Sequence, residues 1–129
     1  LTNDPQSESQ MVTLVNVERS KLGLGELRID VQLTDIARRH SRDMFERRYF
    51  SHFSPEGHDV SYRAKQGGIT YRLIGENLAY APDVSTAHTG LMNSEGHRKN
   101  ILDAEWSRIG VGVIDGDVYG KMFTQVFAD

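Results

Sequence analysis

The chain has no cysteine among its 129 residues. This absence excludes disulfides, thiolate catalysis and cysteine-ligated zinc sites. It does not place the protein in the cytosol, because many bacterial exported proteins also lack cysteine. No apolar run is long enough to span a membrane. Since the chain begins at Leu1 without a methionine, we expect that an export signal or anchor has been removed.

The sequence also lacks a strong charge of one sign. Its net charge is −3, from 15 basic and 18 acidic side chains that are interspersed. Nucleic-acid binding usually needs a clustered basic face, so we expect no nucleic-acid partner. The arginine-rich segment 38–48 is diluted by Asp43 and Glu46 and is typical of a solvated helix face. No Walker loop, dinucleotide fingerprint or His-Glu-x-x-His motif occurs.

The pattern of apolar residues changes from helical to extended along the chain. We predict a flexible tail over residues 1–10 and one domain over 11–129, with helices over 11–22, 33–49, 60–66 and toward Asn93. Ile109, Val111 and Val113 alternate and precede a second extended run that ends at Phe127, which predicts an antiparallel hairpin inside a sheet. Helices first and strands last indicate an α+β fold. No coiled-coil repeat demands association, so we expect a monomer.

Three separated clusters carry the residues suited to chemistry. His52 lies in a Ser/Pro/Gly loop, Glu76 lies between Gly75 and Asn77, and His97 follows Gly96. Two imidazoles and a carboxylate that converge on one pocket can bind a divalent metal or move a proton. Each of these residues could equally be an exposed polar side chain.

The remaining candidates are weaker. Glu95 lies two residues before His97, and on a regular helix residues i and i+2 do not face each other. The two side chains converge only where Gly96 breaks the helix. His40 lies on the apolar stripe of the second helix, which favours a core histidine over a ligand. His58 and His88 show no partner pattern and are expected at the surface.

Five segments together resemble the bacterial branch of the CAP superfamily, which includes cysteine-rich secretory proteins, antigen 5 and pathogenesis-related proteins. They occur in the family's order, and the resemblance covers roughly residues 11–127. They are the helix 33–44, the loop SHFSPEG at 51–57, GENLA at 75–79, MNSEGHRKNIL at 92–102 and IGVGV at 109–113.

The resemblance implies a three-layer α-β-α sandwich with a central antiparallel sheet, an extracellular or cell-envelope location, and a cleft that binds Zn²⁺ or another divalent cation in some relatives. Carried over, the cleft residues are His52, His97 and Glu76. The fourth is Glu95, which lies one place later than in the family's Trp-x-x-Glu pattern and has Leu91 in place of the Trp. Supporting cleft residues are Asn77, Ser54 and Ser94.

Three functions are compatible with these residues. The first is an exported module whose cleft binds a divalent metal and a peptide, glycan or lipid. The second is a metal-dependent hydrolase of peptides or esters, with Glu76 as the general base. The third is a structural cell-envelope domain in which the His/Glu set braces loops. Fold alone does not decide among them.

Overall fold

The protein, described here by a computed structural model over residues 1–129, contains five helices and five strands. The helices are Pro5–Lys21 (α1), Val31–Arg47 (α2), Val60–Gln66 (α3), Val84–Met92 (α4) and Glu95–Ile101 (α5). The strands are Thr2–Asn3 (β1), Arg28–Ile29 (β2), Ile74–Ala81 (β3), Arg108–Asp115 (β4) and Lys121–Ala128 (β5). No helix combines the length and the apolar character needed to cross a membrane.

The sheet is built around the β4–β5 hairpin. Its strand order is β1-β4-β5-β3, and β2 also pairs with β4. All pairings are antiparallel except that of the short β2. The alternating valines and isoleucine therefore form an inner strand, as the sequence predicts. β3 adds an edge strand of eight residues.

Side chains that alternate along β5 divide the core into two layers. Phe123 and Phe127 pack with apolar residues of α1, α4 and α5. Val126 and Ala128 pack with apolar residues of α2 and α3 on the opposite face. Because successive side chains of a strand point to opposite faces, the sheet lies between two helical layers. The predicted α-β-α sandwich is confirmed.

Four of the helices begin at an aspartate that accepts a backbone hydrogen bond. Asp4, Asp30, Asp59 and Asp83 each bind the N–H three residues further on, at 2.8–3.1 Å. Such caps satisfy donors that have no partner inside the helix and complement its dipole. They explain why α3 has the predicted bounds and why α4 begins directly after Asp83.

The predicted flexible tail over residues 1–10 is wrong. β1 pairs with β4, and α1 begins at Pro5. Glu8 is buried, binds Arg38 with both carboxylate oxygens at 2.6 and 2.8 Å, and accepts the backbone N–H of Val113 at 3.1 Å. These partners lie at least 30 residues away, so a polar local composition could not reveal them.

His88 is also placed differently from the prediction. It lies on the inward face of α4, it is buried, and its Nδ1 has no hydrogen-bond partner. Burial lowers its pKa, because removal from water disfavours the charged imidazolium. His58 is partly exposed and stacks on Tyr62, with ring centroids 3.6 Å apart.

Helix α2 lies directly against the backbone of β4 at two glycines. A Cβ placed on Gly110 would come within 2.2 Å of the α2 backbone at Leu33 and Thr34, and one on Gly112 within 2.1 Å of the Arg38 backbone nitrogen. Real Cβ atoms essentially never approach so closely. Only glycine therefore allows this helix–sheet spacing.

We expect Gly112→Ala to lower the free energy of unfolding by about 1–3 kcal/mol or more, because 1–3 kcal/mol is the usual cost of overpacking. Gly90→Ala is the matched control, because Gly90 lies in α4 and a Cβ added there would meet no atom within 4 Å. That substitution should leave stability unchanged or raise it by up to about 1 kcal/mol. Equilibrium denaturation of both variants measures the difference, and equal stabilities would contradict the close contact.

Candidate functional site

The loop after α2 is positioned by a buried histidine. His40 is 2% exposed, and its Nε2 lies 2.9 Å from the backbone oxygen of Ser51. Its ring also meets Tyr49 edge-on, at a centroid distance of 5.9 Å. Burial lowers the pKa of His40. The prediction that His40 is a core residue with a hydrogen-bonded ring is confirmed, and its partner is the residue before His52.

The first half of the site is an ionic triad of His52, Glu76 and Arg63, centred on Glu76 of β3. Nδ1 of His52 lies 2.8 Å from Oε1 of Glu76, and Nη2 of Arg63 donates to Oε2 of Glu76 at 2.5 Å. The Glu76 side chain is 2% exposed, whereas that of His52 is 50% exposed. One buried carboxylate thus lies between a guanidinium and an imidazole, which satisfies the rule that buried charges are paired.

Arg63 also braces the loop that carries His52. Its Nη1 donates to the backbone oxygens of His52 and His58, both at 3.2 Å. Ser54 closes the same loop, because its Oγ accepts the His58 N–H at 3.2 Å and its own N–H donates to the His58 oxygen. Ser54 therefore shapes the loop and does not contact the triad.

The second half of the site lies on α5. Nδ1 of His97 lies 2.7 Å from Oγ of Ser94, the residue that precedes the helix. Nδ2 of Asn77 donates to the backbone oxygen of His97 at 3.0 Å. Asn100 of the same helix donates to Oδ1 of Asn77 at 2.9 Å. The structure therefore attaches His97 to Asn77 and His52 to Glu76, which are consecutive residues of one strand.

Glu95 is not brought into this arrangement. It is the first residue of a regular helix, it is exposed, and it makes no hydrogen bond or ion pair. Gly96 does not break the helix, so Glu95 and His97 diverge as residues i and i+2 do. No group of three or more His, Asp or Glu side chains is arranged to hold a metal ion.

The chemistry of the free ring nitrogens nevertheless fits a divalent cation. A carboxylate at Nδ1 of His52 and a hydroxyl at Nδ1 of His97 leave Nε2 of both rings without a partner in the protein. Metal-binding histidines commonly have the other ring nitrogen oriented in this way. Glu76 fits the role of an orienting residue and does not fit that of a ligand, because both its oxygens are engaged.

Sequence reasoning missed two contributors to the site. Arg63 pairs with a carboxylate 13 residues away, and the α3 sequence contains no signal of that pairing. Gln125 is fully buried on β5 and accepts from Nδ2 of Asn77 at 3.1 Å. Its position between two phenylalanines of an alternating strand places an amide in the core, which was a detectable signal of a buried polar network.

A sequence model of the CAP family, described as the cysteine-rich secretory protein family, matches residues 12–127. The chain belongs to the CAP family. Uncharacterized protein YkwD of Bacillus subtilis is 41% identical over 121 residues, which are 93% of this chain and 46% of YkwD. These matches confirm the family resemblance of the five sequence segments.

Two solved structures share the fold. An extracellular protein of Bacillus anthracis that contains an SCP domain is 39% identical, with a TM-score of 0.90 over 97% of this chain and 41% of that one. An outer surface protein of Borrelia burgdorferi is 21% identical, with a TM-score of 0.88 over 94% and 90% of the two chains. The latter shows the fold alone. The chain spans less than half the length of YkwD and of the Bacillus anthracis protein.

We expect the pKa of His52 in this CAP domain to lie above its ordinary value near 6.5, because the Glu76 carboxylate accepts a hydrogen bond from the imidazolium. A raised pKa means that this pair stabilises the fold below about pH 6.5 and that the contribution is lost as the pH rises through the raised value. Titration of the His52 ring signals by NMR measures the pKa.

Glu76→Gln should lower the His52 pKa. Glu56→Gln is the matched control, because Glu56 lies in the same loop but binds Arg47. It should leave the pKa unchanged. An identical His52 titration in the parent and in Glu76→Gln would contradict the pairing.

Proposed function

We propose that this CAP domain acts outside the cytoplasm as a ligand-binding module whose cleft holds a divalent cation, Zn²⁺ being the first candidate. The proposal rests on one observation, that two imidazoles have the same hydrogen-bonding pattern. His52 and His97 each have Nδ1 held by a neighbour and Nε2 free. A bound cation would supply a Lewis acid with coordination positions open to an organic ligand. The Bacillus anthracis relative, which is described as an extracellular protein, supports the location.

Two residues would bind the cation, and their neighbours would orient these two ligands. His52 and His97 would provide the nitrogen ligands. Glu76 would orient the His52 ring and keep its proton on Nδ1, as orienting carboxylates do for metal-binding histidines. Ser94 would do the same for His97. Arg63 would neutralise Glu76 and keep the loop closed over it.

The hydrolase alternative lacks a supporting observation. It needs Glu76 as a general base with a free oxygen within reach of a water. Both oxygens of Glu76 are bound, one by a guanidinium. The structural alternative is favoured by the same contacts, because Arg63 ties together the loop and β3. Metal binding therefore distinguishes the binding module from the structural domain.

Calorimetric titration of the metal-stripped protein with Zn²⁺ near pH 7 tests the proposal. We expect one site per chain, lost in the His52→Ala/His97→Ala variant. Glu76→Gln should weaken binding by about 10–100-fold, the usual effect of removing an orienting partner. Affinity should fall as the pH falls, since the raised pKa of His52 means that protons compete for its ring.

His58→Ala is the matched control, because His58 lies in the same loop but stacks on Tyr62 away from the triad. It should bind Zn²⁺ like the parent. Absence of heat and of any shift in Tm with Zn²⁺ would refute the metal site. Equal binding by the double histidine variant would place the metal elsewhere.

A further inference from the structure

Helix α4 is attached to the rest of the protein by few buried side chains. Four of its nine residues are buried, namely Val84, Ala87, His88 and Leu91. Val84, Ala87 and Leu91 pack into the core that α4 shares with α1 and the sheet. Segments with few buried apolar contacts open most readily in a native protein. The fourth buried position of this short helix is occupied by a titratable ring.

The His88 ring is built into this contact as a neutral group. The residue is 9% exposed, and its Nδ1 is buried without a hydrogen-bond partner. In the tautomer with the proton on Nε2, Nδ1 is only an unused acceptor. The imidazolium has an N–H on both nitrogens, so protonation would bury a charged donor that has no partner. The docked helix therefore disfavours the protonated ring.

The charges near His88 do not compensate a proton on its ring. Burial lowers the pKa of His88, and it outweighs the attraction of Glu18 of α1 for the imidazolium. Lys21 of α1 lowers the pKa further. Nζ of Lys21 lies 2.8 Å from Oε1 of Glu18, so the lysine also neutralises the carboxylate. The one acidic group that acts on the ring is thus already paired.

The other elements packed against α4 supply no buried counter-charge. β3 turns the uncharged Asn77, Ala79 and Ala81 toward this helical layer. Arg19 of α1 is itself a buried cation, and backbone oxygens accept from its guanidinium. The remaining charged residues are exposed, and they are Asp83 at the start of α4 and Glu95, Arg98 and Lys99 of α5.

We propose that His88 makes the docking of α4 acid-sensitive, so that a proton taken up by this ring releases α4 from α1 and the sheet. In the released helix the ring lies in water and takes up a proton near its ordinary pKa of about 6.5. In the docked helix it does so only at lower pH. The contribution of neutral His88 to docking is therefore complete above about pH 6.5 and is lost as the pH falls toward the lowered pKa.

Release of α4 would also affect the segment that carries His97. Only Asn93 and Ser94 separate α4 from α5. Oγ of Ser94 lies 2.7 Å from Nδ1 of His97, so Ser94 links the end of α4 to the orientation of that ring. Acid would thus loosen one half of the cleft. This inference concerns the metal-free protein and does not rest on the proposed cation.

Amide hydrogen exchange of the metal-free protein, corrected for the intrinsic exchange rate, tests the proposal. We expect the opening constant of the α4 amides to be constant above about pH 6.5. Below it, the constant should rise by up to about tenfold per pH unit, the limit for the uptake of one proton. Amides of the β4–β5 hairpin, which open only when the whole domain unfolds, should stay protected.

His88→Gln is the decisive variant, because glutamine is polar and cannot take up the proton. Its α4 amides should show no rise in opening between about pH 6.5 and pH 5. Thr89→Ala is the matched control, because Thr89 is the adjacent residue of α4 and is exposed. It should keep the rise of the parent. Where His88→Gln opens α4 more at every pH, the pH dependence still decides, since a merely structural role changes the level alone.

Two substitutions in α1 should shift the acid response in opposite directions. Glu18→Gln removes the charge that favours the imidazolium, so the pKa of His88 should fall and α4 should open more in acid. Lys21→Met removes the charge that disfavours it, so the pKa should rise and α4 should open less. NMR titration of the His88 ring measures the two pKa shifts.

An opening constant of α4 that is the same at about pH 7.5 and pH 5 would overturn the proposal. So would an equal rise in the parent and in His88→Gln. A rise shared by the hairpin amides would assign the acid sensitivity to global unfolding and refute the release of α4. Because no metal is present in these measurements, their failure would leave the Zn²⁺ site untouched, and a failed Zn²⁺ titration would leave the acid response of α4 untouched.

Discussion

Helix α2 and strand β4 meet without side chains between them at Gly110 and Gly112, and the position of the site follows from that contact. The close approach lets Ser41 of α2 reach the sheet, where its Oγ donates to the Gly112 oxygen and lies 2.7 Å from Oγ1 of Thr124. One turn of the helix is thereby fixed in rotation as well as in distance. The adjacent residue, His40, is fixed with it.

His40 in turn positions the loop that carries His52, a member of the triad. His40 holds Ser51, and Arg63 holds the next residue, His52, through its carbonyl oxygen. Arg63 and His52 meet again at the Glu76 carboxylate. Breaking a buried ion pair by removing one partner leaves an uncompensated charge, and the cost is usually large. The contacts that keep the loop on the sheet are therefore also the contacts that orient the His52 imidazole.

The sequence could predict those parts of the fold whose signals are local. The alternation of Ile109, Val111 and Val113 indicated an inner strand, and residues 60–66 were predicted as the helix that the structure shows as α3. It could not predict the ordered start of the chain, since Glu8 is held by Arg38 and Val113. The family motifs predicted one cleft for His52, Glu76 and His97, and the structure attaches His52 to Glu76 and His97 to the adjacent Asn77. They did not reveal that Arg63 occupies the carboxylate, because that contact exists only after α3 docks on β3.

The location of the site at the sheet edge follows from the layered architecture. His52 follows α2 in one helical layer, and His97 lies on α5 in the other. Inner strands separate these layers completely, since their two faces pack against different cores. Glu76 and Asn77 point to opposite faces of β3, and each holds one of the two histidine segments. One edge strand therefore carries the attachment points of both histidine segments.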